Sequence, residues 1–387
     1  MIDQNEIRRP RKAAGATALG VVRTTSDGEW MAVLSQSIKH DFHHLPGYHR
    51  VAEYRGEGTA FLFTYREGEY LIALPLLLRP INEEEPAGLQ DATSVYGYAG
   101  PIASHERIPV LAIRNFQESL RNELRDRHVV SVFSRLHPLI AQRELLVGLG
   151  ETRAIGRTVS VDLTLPLDDQ WAGYGKKCRR IIQKAREAGV VCIHDQERSH
   201  QREWVEIYRE TMERVGAPGS HLFDDEYFEV LAHELGAALH LFVAIVDGSV
   251  AAAGLYTLCD GIVQAHLGGM RSEYMKLSPT RLLDDTARLW GHESGARVFH
   301  LGGGVGGRED SLFQYKTGFS DRRHQFRTWR WIVEPEIYRE LCARRQRYDE
   351  QQGLTAGAAD FFPAYRRAAD PEDRSERRSR RVATTPS

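Results

Sequence analysis

Cysteine is scarce: the 387 residues hold four, Cys178, Cys192, Cys259 and Cys342, widely separated and in no CxxC pair. They read as reduced thiols, which sets aside a disulfide scaffold and a structural zinc site. Net charge is nearly absent as well, because 51 basic residues meet 53 acidic ones and leave −2. Such a chain does not hold nucleic acid through its overall charge, so any polyanion must meet a local patch. No window approaches about 18 apolar residues, and the charged start from Met1 to Lys12 leads into no apolar signal segment. The expectation is a cytoplasmic protein without a membrane span. GxSxG, HExxH and GK[ST] are missing and no close Cys/His pair makes a nucleophile plausible, which removes the usual signatures of a nucleophilic, zinc-dependent or nucleotide-hydrolysing enzyme.

What is present is enough chain for two domains, 42% of it hydrophobic. The ends, residues 1–27 and the Arg-rich 368–387, lack apolar spacing and read as a loose arm and a disordered tail. Between them one order of elements occurs twice. Helical patterns around Trp30–Ile38 and Gly47–Tyr54 precede a hairpin, Ala60–Tyr65 with Tyr70–Leu78. The aromatic segment Tyr96-Gly97-Tyr98, a helix Val110–Leu124, a strand Val129–Phe133 and a short helix after Pro138 follow. The second pass has strand Val190–Ile193, helices Trp204–Arg214 and Asp224–Leu235, then strands Leu241–Val246 and Val250–Leu258 joined by the turn dipeptide Asp247-Gly248. Strand Ile262–Leu267, a helix Pro279–Glu293 and a strand Val298–Leu301 complete it. Two helices, a meander, a helix and a further strand are the order of an acetyltransferase (GNAT) fold. The expected class is α/β with a mixed sheet, in two tandem GNAT-like domains, 28–156 and 157–335, followed by a helical segment 336–367.

Three segments carry the chemistry. In WAGYGKKCRRIIQKAREAG, Trp171 to Gly189, apolar residues at helical spacing leave Lys176, Lys177, Arg179, Arg180, Lys184 and Arg186 on the other faces, either a solvated surface or a polyanion site. In HLGGGVGGREDSLFQYKTGF, His300 to Phe319, glycines allow close approach to backbone, and Lys316 suits a fixed charge beside an anion or a developing oxyanion. An interdomain ion pair is its structural alternative. The turn Arg271–Pro279 is the third, read for what it lacks. A coenzyme-A pyrophosphate needs consecutive free N–H groups there, yet no glycine follows Arg271, Glu273 intrudes and Pro279 removes a donor. Ser278 capping with Pro279 at the first helical position accounts for it. His40, His43, His44 and His49 cluster in DFHHLPGYH without an evident cysteine or carboxylate geometry, so the segment reads as a loop entering a helix and no metal is expected.

With these residues in view the chain resembles the FemABX family of aminoacyl transferases, over roughly Glu29 to Val333. KKCRRIIQKAREAGVVC is similar to the family's basic helix and following strand, and LGGG…LFQYKTGF to its ending with an aromatic-Lys pair. FLFTYREGEYLIALPLLLR and VYGYAGPI look like its opening domain. The resemblance implies two GNAT-like domains, no cofactor, and transfer of an amino acid from aminoacyl-tRNA to an amine of a peptidoglycan precursor or peptide-like metabolite, with peripheral contact to a lipid-linked substrate allowed. It makes Lys316 the catalytic candidate. Tyr315, Arg214, Tyr227, Lys177, Arg180, Tyr98 and Phe319 are the substrate-binding candidates. A coenzyme-A-dependent N-acyltransferase on the same fold is the rival expectation. No coiled-coil insertion interrupts the second half, and the family's first-domain lysine has no clear counterpart near Tyr48, His49 and Arg50.

Overall fold

The computed structural model describes residues 18–81, 88–140, 142–217, 219–354 and 360–367. The expected tail at 368–387 and the first 17 residues of the expected arm lie outside these. The first half contains β1 (Ala18–Arg23), α1 (Asp27–Leu34), α2 (Pro46–Tyr54), β2 (Thr59–Glu67), β3 (Tyr70–Pro80), β4 (Gln90–Thr93), β5 (Ile102–Ala103), α3 (Val110–Asp126) and β6 (Val129–Leu136). The second contains β7 (Glu151–Asp162), α4 (Leu167–Ala172), α5 (Lys176–Glu187), β8 (Val191–Asp195), α6 (Gln201–Arg214) and α7 (Asp225–Leu235). It continues through β9 (Leu239–Val246), β10 (Ser249–Cys259), β11 (Ile262–Met270), α8 (Pro279–Glu293), β12 (Val298–Gly302), α9 (Ser311–Thr317), β13 (Arg323–Ile332) and α10 (Pro335–Gln351).

One mixed sheet runs through both halves in the order β1-β2-β3-β4-β6-β13-β7-β12-β11-β10-β9-β8, with β5 on β3. Each half has one parallel pair, β4 with β6 and β11 with β12, and each pair is bridged by a helix, α3 or α8. The near-continuous apolar run of β3 follows from its two covered faces: Leu71, Ala73 and Leu77 enter one core, and Ile72, Leu74, Leu76 and Leu78 the other. On α3 the buried set is Ala112, Phe116, Leu120 and Leu124, one stripe at four-residue spacing. The first of those cores also takes in Trp204, Tyr208, Phe228 and Leu241, so the halves share apolar interior. Where α2 meets α7, Gly47 sits so close that an added Cβ would lie 2.1 Å from the Glu234 carbonyl oxygen, and Arg50 bonds the Glu234 carboxylate at 2.5 Å.

Several local expectations are corrected. The expected loose arm is ordered from Ala18, because Leu19 and Val21 pack on the first-half core while the backbone pairs with β2. The Trp171–Gly189 helix is two helices, since the Gly175 N–H is taken by the Gly318 carbonyl at 2.9 Å rather than by the preceding turn. The helix after Pro138 is a single 3-10 turn, Arg143–Leu146. β13, absent from the expected order, lies between β6 and β7 and joins the halves. The expected boundary between residues 156 and 157 falls inside β7, whose Glu151–Val159 stretch pairs with β13. No helix among the described residues is long and apolar enough to cross a membrane.

Candidate active site

β11 and β12 pair only over Ile262–Gln264 and Val298–His300. Beyond that β11 stays with β10 as far as Met270, while Gly302 of β12 faces Val159 of β7. The strands part, and polar side chains fill the parting. Gly302 has φ +77, and a Cβ placed on it would meet Lys316 Nζ at 3.3 Å, Tyr98 Oη at 3.7 Å and Gln264 Nε2 at 3.8 Å. Glycine is the residue that tolerates both this left-handed backbone and this crowding.

Lys316 lies on α9, whose start is fixed by the Asp310 carboxylate accepting the Phe313 N–H at 3.0 Å. Its ammonium donates to the Gly303 carbonyl at 2.6 Å. Removal from water brings its pKa down to about 8, against the opposing pull of Asp284 and Asp310. Tyr98, carried in from the first half, packs edge-on to His300 and Phe326 at 5.4 and 5.2 Å, and burial pushes its hydroxyl up to about 12. The His300 Nδ1–H donates to Gln264 Oε1 at 2.5 Å, and the Gln264 amide donates in turn to the Ala265 carbonyl at 2.8 Å. His300 Nε2 is buried and has no partner among the described residues. Burial, reinforced by His137 nearby, keeps this imidazole neutral.

Tyr315 does not face open solvent. Its hydroxyl donates to Asp284 at 2.7 Å, opposite Tyr256, which donates to the other carboxylate oxygen at 2.6 Å. Burial raises the Asp284 pKa, while the two tyrosines, Lys316 and Arg281 oppose it. Phe319, expected to touch substrate, is 1% exposed and packs edge-on to Tyr174 at 5.2 Å, supporting Tyr315 from behind. Lys177 and Arg180 are exposed on α5. The Gly175–Gly318 bond fastens the start of that helix to the end of α9. Arg214 instead bonds the Ser272 hydroxyl at 2.9 Å, and Tyr227 is buried and stacked on Phe223 at 3.9 Å beneath Arg55. Thus Lys316, Tyr315, Tyr98 and Phe319 assemble at one place, Lys177 and Arg180 are exposed on the helix whose start is bonded to the end of α9, and Arg214 and Tyr227 make separate contacts on α6 and α7.

Sequence reasoning missed Gln264, His300 and Asp284, and also the carboxylate of the histidine cluster, Asp41. Fully buried, Asp41 accepts from the Phe42 N–H at 2.7 Å, His43 Nδ1 at 2.8 Å and His137 Nε2 at 2.9 Å. Burial alone would raise its pKa, but the hydrogen bonds from His137 and His43 hold it well below the usual range. Ligand atoms of Asp41, His43 and His137 lie within 4.8 Å of one another, a spacing a cation could use. The Leu139 N–H, however, occupies the Nδ1 lone pair of His137 at 3.1 Å. With Nδ1 accepting, Nε2 is the nitrogen that donates to Asp41, and the group fits a hydrogen-bonded clamp better than a metal site.

The Arg271–Pro279 turn is also filled from within. Residues Ser272–Leu277 form a 3-10 turn whose first N–H, on Ser272, is bonded to the Glu210 carboxylate at 2.6 Å. Ser278 occupies the cap position without capping, since it lies in the left-handed region and its hydroxyl turns back to Met275. A carboxylate stands where a pyrophosphate would need donors.

Residues 172–317 match the acetyltransferase (GNAT) domain family. No curated protein matches the chain. Among solved structures, FemX is 13% identical and superposes with a TM-score of 0.64, over 81% of this chain and 98% of its own. The C-terminal domain of a putative lysylphosphatidylglycerol synthetase from Agrobacterium fabrum is 12% identical, with a TM-score of 0.50 over 79% of this chain and 92% of that one. L-PGS from Bacillus licheniformis is 17% identical, with a TM-score of 0.51 over 78% and 91%. The resemblance to the FemABX family is thus matched at the level of fold by FemX. The chain has a tandem GNAT-like fold, and its second half carries an acetyltransferase (GNAT) domain.

Proposed function

We propose that the protein is an acyltransferase that moves an aminoacyl group from an aminoacyl-tRNA to an amine of a peptidoglycan precursor or other peptide-like acceptor. The observation that carries this is Lys316, a cation held at the parting of β11 and β12 against Gly303 and beside Tyr98. An aminoacyl ester is already activated, so the enzyme needs to align an amine with the carbonyl and stabilise the tetrahedral oxyanion. The amine nitrogen bonds to the carbonyl carbon, the ester C–O bond breaks, and the proton shed by nitrogen ends on the departing ribose oxygen. Lys316, with its pKa near 8, is cationic at neutral pH, stabilises the oxyanion and is acidic enough to help supply that proton. The exposed Lys177 and Arg180 on the adjoining α5 suit a polyanionic donor better than the pinned Arg271–Ser278 turn suits a coenzyme-A pyrophosphate.

Donor class decides the matter. Purified protein is incubated with a labelled mixture of charged tRNAs, or with acetyl-CoA, and a set of peptide amines, and native mass spectrometry records what stays bound. Loss of label from tRNA to an amine is expected, with acetyl-CoA neither bound nor consumed. Acetyl transfer with no use of charged tRNA would replace this reading by that of a coenzyme-A N-acyltransferase.

A further inference from the structure

At the seam between the halves, on the far side of the Tyr98 loop, lies a cavity of about 250 Å³. It is lined by Gly100, His137, Gln142, Arg143, Gln325 and Arg327, among others. Its wall forms where β13 pairs with β6, Arg327 opposite Leu136, and it opens next to Ala99, one residue past Tyr98. Phe326, between the two β13 residues of the lining, packs on the Tyr98 ring at 5.2 Å, so cavity and Lys316 centre share that tyrosine. His137, locked to Asp41 and Leu139, is a rigid floor.

Two features of the lining are unused. Neither Arg143 nor Arg327 has an ion-pair partner among the described residues, and Gln142 Oε1 is buried there without a donor. Two uncompensated guanidinium groups suit a carboxylate, which arginine binds through paired N–H donors, and a buried amide oxygen lacking a donor suits an N–H. The volume is just under the roughly 300–1,000 Å³ of drug-sized pockets and fits something of amino-acid size.

We infer that this cavity holds the terminal carboxylate and the adjacent amide N–H of a peptide-like acceptor, the carboxylate on Arg327 and Arg143 and the N–H on Gln142. The inference rests on the acyl-transfer reading for the word acceptor, while the site itself stands on the cavity. An acceptor anchored here by its carboxylate would extend past Tyr98 and present its amine to the Lys316 centre.

The probes are N-acetyl-alanine, which has both groups, and its methylamide, which lacks the carboxylate, added to the full chain and followed by ligand-detected NMR. Saturable binding of the acid is expected, with the methylamide about tenfold weaker or worse. Arg327→Gln should lose the preference for the acid, and so should Arg143→Gln, which lies at the exposed start of the 3-10 turn Arg143–Leu146 and leaves the β6–β13 pairing intact. Absence of binding by the intact protein, equal binding of acid and methylamide, or an acid preference that survives in a folded variant would each overturn the inference. Failure here is separable from failure of the reaction, because the binding measurement uses no donor. Carboxylate-dependent binding without transfer keeps the site and drops the activity, and transfer to peptide acids undiminished in Arg143→Gln does the reverse.

Discussion

The two halves part their central strands in the same place and use the gap differently. In the first, β4 and β6 stay paired to Thr93 and Phe133, after which the chain leaves the sheet as a long arm through Tyr96 and Tyr98 before α3. In the second, the equivalent connection from β11 to α8 folds at once into a short turn pinned by Glu210. The first gap is closed by the arm, Ala99 bridging to Leu136, and braced by the Asp41 clamp. The second is left polar, with Gln264, His300 and Lys316 around a bare Gly302. One scaffold, repeated, supplies a brace in one copy and the proposed reaction centre in the other, and the difference lies in what fills the gap rather than in the fold.

The contrast predicts that first-half changes lower stability and second-half changes lower turnover. Asp41→Ala leaves two buried histidine donors and the Phe42 N–H without an acceptor, and should cost about 3–5 kcal/mol in urea unfolding. A cost below about 1 kcal/mol would mean the clamp is ornamental.

Acid should weaken the fold for a related reason. Burial lowers His49 to about 4 and His266 to about 3, whereas unfolded histidine titrates near 6.5. Between those values the unfolded chain binds more protons than the folded one, so stability falls as pH drops from about 6.5 toward 4. Each such histidine contributes up to about 1.4 kcal/mol per pH unit, readable as a steep loss of melting temperature. A flat profile over that window would contradict the buried neutral state.

The smallest expected effect concerns the basic helix. Lys177→Glu with Arg180→Glu should leave melting nearly unchanged and reduce the slope of log affinity for tRNA against log salt by about 1.5. An unaltered slope returns that face to ordinary solvation.

Much of this was legible where signals are local. The meanders, α3, α8 and the basic face of α5 follow from periodicity within a dozen residues, and Lys316 from a short motif. What escaped depends on partners distant in the chain. Asp41 stands two residues before His43, but its other partner, His137, is 96 residues away, so the local pattern did not show what the carboxylate holds. Gly175 gives its N–H to Gly318, a bond no helical pattern encodes, and the helix breaks there. β13 hid because arginines and a histidine interrupt its apolar alternation beside a buried Phe326, Trp329 and Trp331. His300 and Gln264 gain meaning only as cross-strand partners at the last paired position before the gap opens.

The central claim is that the charge on Lys316 acts on the reaction rather than on the fold, and Lys316→Met tests it most directly by keeping most of the stem. Turnover and melting temperature are measured on the same preparation with the donor and acceptor that the intact protein uses. The account predicts a fall in kcat of about 10²–10³ with substrate affinity and melting nearly intact, and for the intact enzyme a loss of activity as pH rises through about 8, where the ammonium is neutralised. A lowered melting temperature with unchanged turnover per folded molecule would contradict it.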